Sequence, residues 1–172
     1  MAVATDSFDL AALGLTSGEG RRLDLHVRIE PFTLGGERYP VDPPLLPARL
    51  EVSRLTGSGY ALRLRFSAAL RGPCMRCLEA AAPVYEVDAR EVSQPGEGDD
   101  LDSPYVAHGE LDLQAWARDS LAVILPTKLV CRPDCAGLCP VCGVDLNTAP
   151  AGHAHEREPD PRWAKLSELR FD

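Results

Sequence analysis

The chain has 172 residues, a formal net charge of -8 at neutral pH and six cysteines. That length fits one domain with an appendage and is enough to bury a core of its own, while no stretch reaches the roughly 20 apolar residues needed to span a bilayer. The acidic balance speaks against a general nucleic-acid binder, which is ordinarily basic. The acidity is local, however. Residues 91–119 carry eight acids (Glu91, Glu97, Asp99, Asp100, Asp102, Glu110, Asp112, Asp119) against Arg118, a net of -7 that leaves -1 for the rest, so a basic face elsewhere stays open.

The opening MAVATDSFDLAALGL has Asp6 and Asp9 and no basic region, so it is not read as a secretory signal. Without export, the cysteines are expected to be metal ligands or redox groups rather than a disulfide framework, in a reduced, cytoplasmic setting. Phe8, Leu10, Leu13 and Leu15 form a short apolar stretch closed by the turn Ser17-Gly18-Glu19-Gly20. Over residues 22–30, Leu23, Leu25, Val27 and Ile29 alternate with Arg22, Asp24, His26, Arg28 and Glu30, the period-two pattern of a half-buried strand. Residues 31–47, rich in proline and carrying Gly35-Gly36, read as irregular, partly extended chain. Residues 50–55 and 60–71 flank Thr56-Gly57-Ser58-Gly59 as the arms of a hairpin. In the second arm Leu62, Leu64 and Phe66 alternate with Arg63, Arg65 and Ser67, and Pro73 ends it just before Cys74.

A fourth strand is expected over residues 84–92, with Tyr85, Val87 and Ala89 inward, and an acidic loop over 94–104. Residues 111–125 predict the main helix, capped by Asp112, with Leu113, Trp116, Ala117, Leu121, Ile124 and Leu125 near one face and Pro126 as its stop. Asp160-Pro161 reads as the start of a short terminal helix bearing Trp163, Leu166 and Leu169. The expected class is α+β: an antiparallel β-sheet with one main packed helix and a C-terminal zinc-knuckle tail. The core would cover 1–126, with the acidic loop at about 91–110, and the cysteine-rich tail 127–172.

The stretch CRPDCAGLCPVCG packs Cys131, Cys135, Cys139 and Cys142 into twelve positions, and Cys74 and Cys77 form another C-x-x-C pair. A C-x-x-C turn presents two thiolates to one tetrahedral metal, and Gly143 lets the chain bend back beneath it. With His153 and His155 there are eight plausible ligands, enough for two closed tetrahedral sites. The preferred grouping sets Cys74 and Cys77 with Cys131 and Cys135, and Cys139 and Cys142 with His153 and His155. The alternative is one ribbon-like site that pairs Cys74 and Cys77 with Cys139 and Cys142 and leaves Cys131 and Cys135 spare, with the histidines merely solvated. One or two zinc ions are thus expected. Fe–S ligation stays open, although the histidines and the lack of ferredoxin spacing favour zinc. A redox role for Cys74 and Cys77, beside Arg71 and Arg76, would require a thiol of lowered pKa, but no thioredoxin-like βαβ pattern surrounds them.

Arg63, Arg65 and Arg71 share one strand face with Arg76 just beyond, a stripe that could meet RNA phosphates or an acidic protein. The polar face of an ordinary antiparallel strand explains the same pattern. There is no Gly-rich phosphate loop, no G-x-S-x-G and no H-E-x-x-H.

The succession of CMRCLE at 74–79, an acidic segment, a helix ending in Leu125-Pro126, then CRPDCAGLCPVCGVDLN and DPRWAKLSEL resembles the YceD-like large ribosomal RNA subunit accumulation proteins over roughly residues 20–172. The resemblance implies a part in the synthesis, processing or stability of large-subunit (23S) ribosomal RNA, or in ribosome assembly, through ribosomal RNA or a ribosomal or assembly protein. It places the family's cysteine positions on Cys74, Cys77, Cys131, Cys135, Cys139 and Cys142. Relatives often carry further cysteines where this chain has His153 and His155. The expectation is a non-enzymatic, cytoplasmic, zinc-binding bacterial protein with no membrane association and no small-molecule substrate. A thiol-disulfide redox protein using Cys74 and Cys77, or a plain protein-interaction module, are the rival classes.

Overall fold

The computed structural model describes residues 3–94, 101–155 and 162. The terminal helix expected around Trp163, Leu166 and Leu169, and residues 95–100 of the acidic loop, lie outside the described residues.

Strand β1 (Ser7–Asp9) leads through a single helical turn at Ala11–Leu13 into β2 (Gly20–Val27), where Val27 is buried and Leu23 and Leu25 half-buried while Arg22 and Asp24 face solvent. The stretch expected to be irregular is ordered instead. Gly35 and Gly36, with φ of 60° and 87°, form the two-residue turn that joins β3 (Phe32–Leu34) to β4 (Glu37–Tyr39). Only glycine-like residues take positive φ at both central positions of such a turn. Next come β5 (Val41–Asp42) and β6 (Leu46–Arg54). Pro47 sits inside β6 because the ladder to the following strand begins only at Ala48, so its missing N–H is not needed there.

Strand β7 (Tyr60–Leu70) returns from the expected hairpin, with Arg54 opposite Tyr60 and its guanidinium 4.5 Å from the Tyr60 ring centre. After β8 (Gly72–Pro73) and β9 (Ala80–Ala81), β10 (Val84–Ser93) completes an antiparallel sheet of order β10-β7-β6-β2, with β5 paired to the end of β7. Alternate residues point inward: Leu46, Ala48, Leu50 and Val52 from β6, and Tyr60, Leu62, Leu64, Phe66, Ala68 and Leu70 from β7. The polar positions between them form the opposite face.

Two very short strands, β11 (Val106–Ala107) and β12 (Glu110–Asp112), make a second small sheet with β1, in the order β1-β12-β11. His108 and Gly109 turn between them with φ of 53° and 83°. Helix α1 (Leu113–Ile124) therefore starts two residues later than its apolar pattern suggests, because Leu111 and Asp112 are held in β12. Asp112 still caps it, accepting a 2.9 Å hydrogen bond from the Ala115 N–H. Leu113, Trp116, Ala117 and Leu121 are buried in the common core. Ile124, expected inward, is 41% exposed, since the last turn borders an open groove against β10. The result is a mostly antiparallel β protein with one helix among the described residues. Among the described residues no helix is long and apolar enough to cross a membrane.

Candidate metal centre

Cys74 and Cys77 lie in the loop between β8 and β9, and the core fixes where that loop sits. Tyr39 donates from its hydroxyl to the Pro73 carbonyl at 2.9 Å, and its ring lies so close over Gly72 that an added Cβ would overlap it. The turn itself is tied by Leu78 N–H to Cys74 O (3.0 Å) and Cys74 N–H to Glu79 O (2.7 Å). The turn at Cys139 and Cys142 repeats this pattern, with Gly143 N–H to Cys139 O and Cys139 N–H to Val144 O, each 2.8 Å. Both turns need a left-handed residue after the second cysteine. The later turn uses Gly143 (φ 73°), whereas the earlier one forces Leu78 into that region (φ 65°) and leaves its side chain 67% exposed.

Beyond α1 and Pro126, Leu129 turns back into the core. Its carbonyl accepts from Met75 N–H at 2.8 Å, and its own N–H points at the Met75 sulfur at 3.3 Å. This zipper carries Cys131 and Cys135 to the first turn. Cys74 Sγ lies 3.8 Å from Cys135 Sγ, and Cys77 Sγ lies 3.7 Å from Cys131 Sγ, with all six cysteines unbridged. These are not disulfide distances. Four thiolates around one ion with bonds of about 2.3 Å have S···S edges of about 3.8 Å.

The second tetrad has the same fit. Cys142 Sγ is 3.5 Å from His153 Nε2 and 3.3 Å from His155 Nε2, and the two Nε2 atoms are 3.1 Å apart. A tetrahedral ion with such donors has S···N edges of about 3.5 Å and N···N edges of about 3.3 Å. Within each tetrad, all ligand atoms lie within 4.8 Å of one another. The fold thus brings together the same four-and-four grouping that the spacing suggests. It does not assemble the single ribbon of Cys74 and Cys77 with Cys139 and Cys142.

Burial separates the two. In the first tetrad Cys74, Cys77 and Cys135 are buried and Cys131 half-buried; in the second, Cys142 and His155 are exposed. Burial works against ionisation of Cys74, but the backbone N–H groups of Cys77, Arg76 and Cys131 and the Cys77 thiol bring it down to about 6. The Glu79 N–H favours the Cys77 thiolate, yet burial and the thiols of Cys74, Cys135 and Cys131 push it up to about 12. The Cys142 N–H, the His153 ring and the Val141 N–H bring Cys139 to about 6 against burial. Burial and the neighbouring thiols push Cys77 and Cys131 up beside Cys74, a conflict that a bound divalent ion would remove.

Asn147 is a residue the sequence marked only as part of a motif. Its Nδ2 donates to Asp145 Oδ1 at 2.6 Å and points at Cys135 Sγ at 3.6 Å; its Oδ1 accepts from Ala136 N–H at 2.8 Å and Arg132 Nη2 at 2.7 Å. The signal that could have found it is an amide side chain placed shortly after a C-x-x-C turn, where a thiolate needs donors.

The four arginines do not converge. Arg63 makes two bonds to Asp88 (2.7 and 2.6 Å), Arg65 binds Glu51 (2.7 Å) and Arg71 binds Asp42 (2.7 Å). Arg63 and Arg65 belong to a charge ladder on the outer sheet face, in which Arg65, Arg22 and Arg63 hold the Glu51 carboxyl below its usual range against desolvation. Among the described residues Arg76 alone of the four makes no ion pair, and it is exposed beside the first tetrad.

A family model described as large ribosomal RNA subunit accumulation protein YceD matches residues 62–170. An uncharacterized protein of Mycobacterium tuberculosis (strain ATCC 25618 / H37Rv) is 34% identical over 171 residues, covering 94% of this chain and 79% of the relative. The relative in Mycobacterium bovis gives the same figures. One in Mycobacterium leprae is 34% identical over 102 residues, covering 56% of this chain and 46% of its own length. No solved structure matches the chain.

Proposed function

We propose, from the premise that this chain belongs to the YceD family of large ribosomal RNA subunit accumulation proteins, that it is a non-enzymatic protein holding two zinc ions and supporting large-subunit ribosomal RNA during ribosome assembly. The family ties the chain to large ribosomal RNA subunit accumulation and hence to ribosome-related partners. The observation that carries the zinc half is the pair of tetrads whose donor spacings match tetrahedral edges. Thiolate and imidazole donors in closed sets of four suit a structural zinc, which holds chain together and leaves no open position for catalysis. In this reading the chain works in two parts. A sheet-and-helix core spans 1–126, and a cysteine-rich part with a zinc knuckle at Cys139 and Cys142 spans 127–172, joined where Met75 meets Leu129.

Burial argues against the redox reading. Cys74 has the thiol pKa an attacking thiolate needs, but it is 0% exposed and has a thiol neighbour from another segment at 3.8 Å. Of the arginine stripe, Arg76 is the best-placed contact for an RNA phosphate or an acidic surface, since Arg63, Arg65 and Arg71 are already paired. A cytoplasmic location fits six free thiols. The test is deletion of the gene in its own host, with precursor and mature large-subunit RNA measured against the small-subunit RNA. Loss of mature large-subunit RNA, restored by the wild-type gene and not by Cys135→Ser, is expected; unchanged RNA would contradict the proposal.

A further inference from the structure

Two metal tetrads in one short stretch of chain can be independent or coupled, and the connection between them decides which. Asp145 and Asn147 lie between Cys142 and His153, inside the loop that the second tetrad closes. Asp145 is anchored to the second turn, because Leu138 bridges to it and Cys139 N–H bonds the neighbouring Val144 carbonyl. Asp145 Oδ1 then receives both the backbone N–H of Asn147 (2.9 Å) and its Nδ2 (2.6 Å). This fixes the amide's orientation. The reverse assignment would set its oxygen against a carboxylate and a sulfur while its nitrogen faced the N–H groups of Ala136 and Arg132.

So oriented, the side chain has every bond used, and all of its partners other than Asp145 belong to the segment that carries the first tetrad's second pair: Cys135 Sγ, Ala136 N–H and Arg132 Nη2. The amide fastens the loop between Cys131 and Cys135 and aims a donor at the Cys135 sulfur, one of the four that would hold the ion. We propose that Asn147 is a positioning residue that couples the two tetrads: closing the exposed Cys139/Cys142/His153/His155 tetrad holds Asn147 against Cys135 and so tightens metal binding at the buried Cys74/Cys77/Cys131/Cys135 tetrad. Linkage makes this reciprocal, so the buried ion also tightens the exposed one. The inference rests on the two-metal reading above. A second tie, Leu138 N–H to Arg76 O at 3.0 Å, is backbone only and survives side-chain changes at 147.

Cobalt(II) titration of the full chain tests it, because four-thiolate and two-thiolate, two-imidazole cobalt have different absorption bands and each tetrad can be followed by itself. Cys142→Ser, which opens the exposed tetrad, is expected to weaken the buried one about tenfold, an ordinary size for coupled sites. Asn147→Ala is expected to weaken the buried tetrad by about 10- to 100-fold, as loss of an outer hydrogen-bond partner usually does. It should also shift the sulfur-to-cobalt band. In the Asn147→Ala background the effect of Cys142→Ser should shrink to less than about threefold, since only the backbone tie is left. Asn147→Asp keeps the acceptor for Ala136 and Arg132 but has no donor for sulfur, so it should behave like Asn147→Ala at the buried tetrad. Folded Asn147 variants with unchanged buried-site affinity and an unchanged response to Cys142→Ser would overturn the coupling while leaving the two-metal reading intact. Absence of cobalt from both wild-type tetrads would overturn both.

Discussion

The two tetrads are built from the same turn yet sit in opposite surroundings. The first is locked into the core: Tyr39 bonds Pro73 one residue before Cys74, Leu129 zips to Met75, and three of its four ligands are buried. The second is a local closure of residues 139–155, with Cys142 and His155 exposed. One is placed to hold distant parts of the chain together and the other to close a local loop. A structural zinc contributes about 10–16 kcal/mol of apparent binding free energy. How much of that the whole fold feels depends on how far apart in sequence the ligands are.

The sharpest way to break this comparison is to remove one ligand from each. Cys135→Ser should lower the thermal midpoint of the whole chain by more than about 10 °C, because several kcal/mol of metal-linked stability is lost. Cys142→Ser should leave that midpoint within a few degrees and instead speed proteolysis after residue 139. Equal effects in thermal denaturation would show that the tetrads do not differ as described. Next in size, Gly72→Ala drives a methyl group into the Tyr39 ring. It should cost about 1–3 kcal/mol in denaturant unfolding, with a loss of metal that is largest at the first tetrad. Leu78→Gly should act in the opposite direction. Removing a side chain from a left-handed position relieves about 1 kcal/mol, and at 67% exposure little packing is lost, so the first turn should retain metal longer against a chelator.

The smallest effect lies away from both tetrads. Glu51 is held below its usual range by Arg65, Arg22 and Arg63 despite desolvation. A lowered folded-state pKa gives stability that is present above the unfolded value of about 4.3 and lost as pH falls through the folded value. Glu51→Gln should therefore be slightly less stable than wild type at neutral pH, with the gap closing in acid. Metal release affects both proteins alike, so the difference in their denaturation midpoints reports Glu51 alone.

Long, regular patterns made much of this molecule legible. The alternation through Leu62, Leu64 and Phe66 marked β7, and the Thr56–Gly59 turn marked its hairpin. Asp112 marked the helix cap. Strands of two or three residues, such as β3, β4, β11 and β12, are too short to show a period, and the pairing of β1 with β12 joins residues about a hundred positions apart. Of the site, the four-and-four grouping of ligands was readable because one tetrad is local in sequence, which leaves the other four cysteines to meet. The strain at Leu78 and the role of Asn147 were not readable. Leu78 depends on the bonds that close its own turn, and Asn147 on Cys135 coming within 3.6 Å in space.

The most direct measurement is native mass spectrometry of the full chain, purified without added metal and without chelator. The account predicts two zinc ions per chain with all six cysteines reduced. A chain carrying no zinc, or one zinc with Cys131 and Cys135 open to alkylation, would contradict it.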